Sequence, residues 1–184
     1  MNIKLLDPSQ YITTPWRNGG GVTVDIAVAT DRDGNSWRFG RTPIVQPGPF
    51  SDYRGFDRVQ VLVAGSGLVL ETPDGEIDVR QPFRPVRFAG ETPIVSRLEA
   101  GPVEVVNLIG DRAKVRIDIR VLQAGGDIIL GAGTHIAYCP DGPATIEVQG
   151  GRYELAADHG LRIETDALAP IAVSAGRVLL ASII

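Results

Sequence analysis

The chain has 184 residues, 43% of them hydrophobic, with twenty-two acidic against eighteen basic residues and a net charge of −4. Such a length supports one substantial core burying about 70% of the unfolded surface, or two small subdomains sharing one, which excludes a disordered chain, and the scattered basic residues form no block that would track a phosphate backbone, which excludes nucleic acid. No apolar run approaches the roughly 18 residues of a membrane span, "MNIKLLDPSQ" lacks the apolar run of a signal peptide, and the single cysteine, Cys139, allows no internal disulfide, so a cytoplasmic protein without a membrane partner is expected.

Along the chain, "LDPSQY" is the best candidate for a helical turn, with Asp7 as cap and Pro8 at the first helical position. Period-two alternation then predicts strands at 22–30 (VTVDIAVAT), 58–64 (RVQVLVA), 67–72 (GLVLET), 76–80 (EIDVR) and 113–122 (AKVRIDIRVL). The second half adds 144–149 (ATIEVQ), 152–157 (RYELAA) and 177–184 (RVLLASII). Gly, Asp, Asn and Pro clusters such as "DRDGNS", "TPDG" and "QGG" supply the turns between them. Many short strands with frequent turns indicate an all-β sandwich or barrel. The terminal "RVLLASII" would be an aggregation hazard as a bare edge, so it is expected to pair within the barrel or across a homodimer.

An internal repeat refines the architecture. "GLVLETPDGEIDV" from Gly67 falls on "PATIEVQGGRYEL" from Pro143, with Gly75 over Gly151 in the turn, and "GPVEVVNLI" from Gly101 lies over "GRVLLASII" from Gly176. Two strand-turn-strand copies predict two stacked β modules, residues 1–110 and 111–184, joined near 110–125. Nine of the eleven aromatic residues lie at or before Phe88, which puts the expected ligand site in the first module.

Familiar catalytic machinery is missing. His135 and His159 are 24 residues apart with no metal-ligand spacing and read as ordinary histidines. Cys139 lies in an apolar strand with no basic neighbour and reads as buried and inert. Neither a nucleophile elbow nor a P-loop is present.

What remains is a cluster between residues 15 and 58: "PWRNGGG", "SWRFGRTP", "GPFSDYRG" and "FDR". A glycine triplet beside Asn18 marks a tight loop in which the backbone approaches a ligand or an opposite strand. The ordered set resembles the HutD/Ves family of the cupin superfamily, small bacterial proteins folding as a two-cupin barrel. The motifs run from Pro15 to Gly21, through Trp37-Arg38, Gly48 to Ser51, Gly55 and Asp57-Arg58, to Gly65-Ser66-Gly67, Gly101-Pro102 and Asn107. The chain departs from the family pattern at Gly40, Arg41, Arg54, Val105 and Ile109.

The resemblance implies double-stranded β-helix barrels and a link to histidine utilisation, with formylglutamate, glutamate or urocanate as candidate ligands. Where metal-binding cupins carry H-x-H and Glu, alignment on Gly65 puts Ser51, Tyr53 and Arg58, so neither metal nor other cofactor is expected. A cation at a metal-ligand position favours recognition of an anionic group; the competing reading locks Asp57 and Arg58 in salt bridges. The expected ligand-binding residues are Trp16, Asn18, Gly19, Gly20, Trp37, Arg38, Arg41, Phe50, Ser51, Asp57, Arg58 and Asn107, with Trp16 and Trp37 bordering one cavity and no catalytic residue assigned. The function expected is binding of a small anionic metabolite, with a regulatory role. A metal-free isomerase or hydrolase using Tyr53 or Asp57, and a structural dimerisation module, stay open as alternatives.

Overall fold

The computed structural model describes residues 1–184 except Arg17 and Asp33, with Asn35 described through its backbone only. Among the described residues the regular structure is nineteen strands and one short 3-10 turn, Pro8–Gln10. The first strands are β1 (Asn2–Leu6), β2 (Ile12–Pro15), β3 (Val22–Asp31), β4 (Gly34–Ile44), β5 (Gly48–Pro49), β6 (Phe56–Ala64), β7 (Leu68–Thr72) and β8 (Gly75–Asp78). Next come β9 (Val86–Ala89), β10 (Val95–Leu98), β11 (Val103–Asp111), β12 (Ile117–Gln123), β13 (Asp127–Leu130) and β14 (Gly133–Tyr138). The last are β15 (Ala144–Val148), β16 (Gly151–Leu155), β17 (Gly160–Thr165), β18 (Ala169–Ala175) and β19 (Arg177–Ile183). The 3-10 turn starts as the sequence implies, with the Asp7 carboxylate accepting from the Ser9 amide at 2.8 Å.

The chain divides into two compact units, Tyr11–Ile117 and Met1–Gln10 with Asp118–Ile184. This division is drawn differently from 1–110 and 111–184. Strand β1 pairs antiparallel with β17 from Asn2↔Glu164 to Leu6↔Gly160, which takes the first residues into the C-terminal unit. Residues 111–117 stay with the other unit, where the Arg112 amide donates to the Gly55 carbonyl at 3.1 Å.

Tyr11–Ile117 carries a six-stranded sheet, β2-β3-β4-β11-β6-β9, and a four-stranded sheet, β5-β10-β7-β8. The other unit carries β1-β17-β14-β19-β12 and β13-β18-β15-β16. The order β4-β11-β6-β9 with β5-β10-β7-β8 thus recurs eight strands later as β12-β19-β14-β17 with β13-β18-β15-β16. Both repeated hairpins close at corresponding pairs, Thr72↔Gly75 and Val148↔Gly151. Strand β19 lies between β14 and β12, so "RVLLASII" has neighbours on both sides and is no exposed edge.

In the Tyr11–Ile117 unit, alternation sends every second residue of each strand into the interior. At one end these residues are apolar: Ile44 of β4, Leu62 of β6 and Val103 and Val105 of β11 pack in one core with Leu68 and Leu70 of β7. Truncating a side chain as buried as Leu62 costs about 2–5 kcal/mol. Towards the other end the same interior rows become polar, with Thr42 and Arg38 on β4, Gln60 and Arg58 on β6, and Asn107 on β11. Five polar residues in a sheet interior mark where packing has given way to another requirement.

Candidate functional site

The polar end opens into a cavity of about 40 Å³. Its lining includes Trp16, Thr23, Arg38, Gly40, Thr42, Phe50, Ser51, Tyr53, Arg58 and Asn107. Such a volume holds a small polar head group or a few waters, far less than a drug-sized ligand.

Arg58 dominates the chemistry. It is 8% exposed and forms no ion pair among the described residues. Its Nη2 donates a long bond to Asn107 Oδ1 at 3.4 Å, and its buried Nε has no hydrogen-bond partner among the described residues. Three aromatic rings surround the guanidinium, with Cζ 5.0 Å from the centroids of Phe50 and Phe88 and 5.6 Å from that of Tyr53. Such faces attract a cation but offer no acceptor for its N–H groups. Burial pushes its pKa down to about 10, with Tyr53 acting upward and the Arg38 charge downward, so the side chain is still a cation at neutral pH.

Arg38 is the opposite case. Its Nη2 lies 2.6 and 2.8 Å from the two Asp25 carboxylate oxygens and its Nε 3.0 Å from Oδ1, while Nη1 donates to the Tyr53 hydroxyl at 3.2 Å. Burial acts to lower the Arg38 pKa, but the bonds and charge of Asp25 outweigh it and the net shift is upward. Thr14 Oγ1 donates to Asp25 Oδ2 at 2.6 Å. In register, Arg38 and Arg58 face each other across Ile109, so two strand spacings, about 10 Å, separate their backbones. One guanidinium is neutralised and fixed, and the other is not.

The glycine triplet shapes the cavity wall. Gly19 has φ of +73° and its amide donates to the Trp16 carbonyl, while the Gly20 amide donates to Asn18 Oδ1. Those amides serve the turn itself. A Cβ on Gly21 would lie 3.0 Å from the Trp16 ring, so the glycine lets the indole fold flat over the loop. Trp16 Nε1 then donates to Thr23 Oγ1 at 3.1 Å, and Asn18 Nδ2 donates to the Pro49 carbonyl at 2.8 Å, tying the loop to the segment that carries Phe50.

That segment, residues 48–56, supplies Phe50, Ser51 and Tyr53. It is held by Phe50 N to Ile94 O, Tyr53 N to Gly90 O, and Gly90 N to Phe56 O, at 2.7 to 3.0 Å. Arg112 clamps its far end, bonding Asp57, Glu91 and the Phe56 carbonyl. The Arg112 bonds are the main cause that pulls the Glu91 pKa down to about 2.

A sequence model of the HutD family matches residues 8–181. The chain belongs to the HutD family. It is 26% identical over 150 residues to a 21.2 kDa protein of Pseudomonas putida encoded in the 3′ region of hutC, covering 80% of this chain and 79% of that one. The structure of HutD from Pseudomonas fluorescens SBW25, solved in a formate condition, superimposes with a TM-score of 0.85 at 27% identity, covering 99% and 98% of the two chains. A conserved protein of unknown function from Pseudomonas aeruginosa PAO1 gives a TM-score of 0.86 at 24% identity over 100% and 98%. Cupin-like solved structures at 9% and 8% identity, with TM-scores of 0.61 and 0.62, share the fold alone. The family is thus linked to the histidine-utilisation locus.

Of the residues that the sequence nominated in this HutD chain, Trp16, Arg38, Phe50, Ser51, Arg58 and Asn107 line one cavity. Asn18, Gly19 and Gly20 stand behind Trp16 and outside the lining. Trp37 and Arg41 belong to the other face of β4, one residue out of phase with Arg38 and Gly40. Trp16 and Trp37 therefore do not border one cavity, and Arg41 pairs instead with Glu104 at 3.1 Å. Asp57 alternates away from Arg58 and is held in a salt bridge to Arg112, as the competing reading has it, whereas Arg58 forms no ion pair among the described residues. Arg17, inside the glycine-loop motif, lies outside the described residues. The sequence missed Asp25, Thr14, Thr23, Thr42 and Gln60; only the lone acid in "VTVDIAV" hinted at the first.

Metal-binding cupins raise the question of a metal here. Among the described residues no three His, Cys, Asp or Glu side chains converge. The carboxylate of Asp25 is taken by the cavity residue Arg38, and Arg58 adds a positive charge. This donor set does not fit a divalent cation.

Proposed function

We propose that this HutD chain binds a small carboxylate metabolite in histidine utilisation, holding the anionic group on Arg58 without a metal and acting in regulation. Arg58 carries this reading: a buried guanidinium beside a cavity, with an unpartnered Nε and no carboxylate partner among the described residues. A buried cation without an internal partner is costly, and an anionic ligand would remove the cost through charge-assisted bonds. We read the barrel as two double-stranded β-helix modules, supported by the strand order that recurs eight strands on. At about 40 Å³ the cavity takes a small head group such as a carboxylate.

Calorimetric titration with glutamate, formylglutamate and urocanate tests the proposal. Arg58→Ala is expected to weaken the best ligand roughly ten- to a hundredfold, the size of one lost charge-assisted bond, while the fold survives because no carboxylate among the described residues loses its partner. Arg58→Lys keeps the charge but loses the planar fork and is expected to bind weakly. Unchanged affinity in a folded Arg58→Ala protein would sink the anchoring role. The turnover alternative narrows to Tyr53, whose hydroxyl meets Arg38, since Asp57 faces away. Product analysis on any ligand that binds decides it. The dimerisation alternative draws no support from β19, which is flanked on both sides.

A further inference from the structure

Gln60 has no part in the anchoring scheme, yet it is the most exceptional polar side chain in its unit. It lies on β6 between Arg58 and Leu62 on the interior face and has no exposed surface. Neither its Oε1 nor its Nε2 has a hydrogen-bond partner among the described residues. Its cross-strand neighbour is Asn107, which lines the cavity. Two residues away, the buried Nε of Arg58 is also unpartnered. Buried amides are nearly always bonded, because an unmet donor and acceptor both cost stability.

The recurring strand order supplies a comparison inside the same chain. The pair Asn107↔Gln60 of β11 and β6 corresponds to Ser182↔His135 of β19 and β14, as Val105↔Leu62 corresponds to Leu180↔Ala137. There the polar pair is closed on itself. Ser182 Oγ donates to His135 Nδ1 at 2.9 Å, and His135 Nε2 donates to the Gly131 carbonyl at 2.9 Å. Two residues before His135, where β6 has Arg58, β14 has Gly133, and a Cβ there would lie 2.5 Å from the Ile183 carbonyl. One unit closes its interior polar pair on itself, whereas the other leaves a carboxamide without a partner among the described residues, next to the cavity-lining Arg58 and Asn107.

We infer that Gln60 is a specificity-determining residue of the anion site, its carboxamide receiving an uncharged donor–acceptor group of the ligand. The preferred class is then a carboxylate that also carries an amide or a similar neutral group. Its carbonyl would accept from Gln60 Nε2 and its N–H would donate to Oε1, with the carboxylate on Arg58. The inference rests on the Arg58 reading, and its test separates the two.

The full chain is titrated with amide-ended carboxylates (oxamate, malonamate, succinamate) and with their branched-alkyl isosteres (isobutyrate, isovalerate, 4-methylpentanoate). Wild type is expected to prefer the best-fitting amide over its isostere by at least about tenfold, since a site with unmet polar groups rejects ligands that leave them unmet. Gln60→Leu and Gln60→Met are expected to lose that preference and keep the alkyl carboxylates, while Arg58→Ala loses both series. Unliganded Gln60→Leu is expected to melt at or above wild type, because an apolar side chain replaces an unmet amide. Equal affinity for the two series in wild type, or a preference surviving both Gln60 variants, overturns the inference and spares the Arg58 reading. So does unliganded Gln60→Leu and Gln60→Met melting well below wild type, which would mean the amide is bonded in the free protein. Binding of neither series defeats the Arg58 reading and takes the Gln60 inference with it.

Discussion

Asp25 shows how much of the site depends on a residue outside the cavity lining. It accepts from Arg38 through both oxygens and from Thr14, and its side chain is only 10% exposed. Without it Arg38, 14% exposed, would keep only the Tyr53 hydroxyl among these partners. Asp25→Asn is therefore expected to destabilise by about 3 kcal/mol, the cost of breaking a largely buried pair by removing one charge. Replacing both members, with Arg38→Met alongside, should recover part of that loss. Urea unfolding of the single and double variants measures it, and a single-variant loss under roughly 1 kcal/mol would place the pair with exposed ones. Arg58 was legible in the sequence because "FDR" stands in an ordered motif set. Asp25 was not, because an acid in an alternating strand reads as solvent-facing until pairing fixes which phase points inward. Here a register shift between Asp25 and Ala27 breaks the alternation as well. The same question of phase separated Arg38 from Trp37 and Arg41, which share its motif but face the other way.

At the scale of elements, strands such as β7, β15 and β19, whose inward residues are apolar, read directly from the sequence. Strand β4 escaped because its interior row is Arg38, Gly40, Thr42 and Ile44, a pattern whose polarity hides the period. Gly40 is required there: a Cβ would lie 2.6 Å from the Val24 carbonyl and 2.9 Å from Thr23 Cγ2. Strand β5 has two residues and no period at all. Yet β5 begins the segment over the cavity, and Gly90 holds that segment in place. The Gly90 carbonyl accepts from Tyr53 N and its amide donates to Phe56 O, while a Cβ would collide with the Tyr53 carbonyl. Gly90→Ala should push Tyr53 and Phe50 off Arg58, costing about 1–3 kcal/mol of stability and weakening carboxylate binding together with it. Melting and titration of the same preparation test both effects. Unchanged binding in a destabilised variant would show that the segment does not set the site's geometry.

For the whole chain, the repeated hairpins at Gly75 and Gly151 made duplication visible in the sequence, but not which copy would be open. That difference comes from single side chains in equivalent rows, Gln60 against His135 and Arg58 against Gly133. The closed row also gives the molecule a pH dependence. Burial lowers the His135 pKa below its ordinary 6.5, with the Gly131 bond opposing, and its neutral ring donates from Nε2 and accepts at Nδ1. The unfolded chain takes up this proton near pH 6.5, whereas the folded chain resists until a lower pH. The unfolded state then binds more protons across that window, so stability is full above about pH 6.5 and falls as the pH drops below it, by at most about 1.4 kcal/mol per unit for one group. His135→Gln removes the titration and installs the side chain that the other unit carries at this position. Its melting temperature should vary less than that of wild type between about pH 7 and pH 5. If the two curves run parallel, His135 is not the group responsible, and the acid sensitivity must be sought in the chain's other titrating groups.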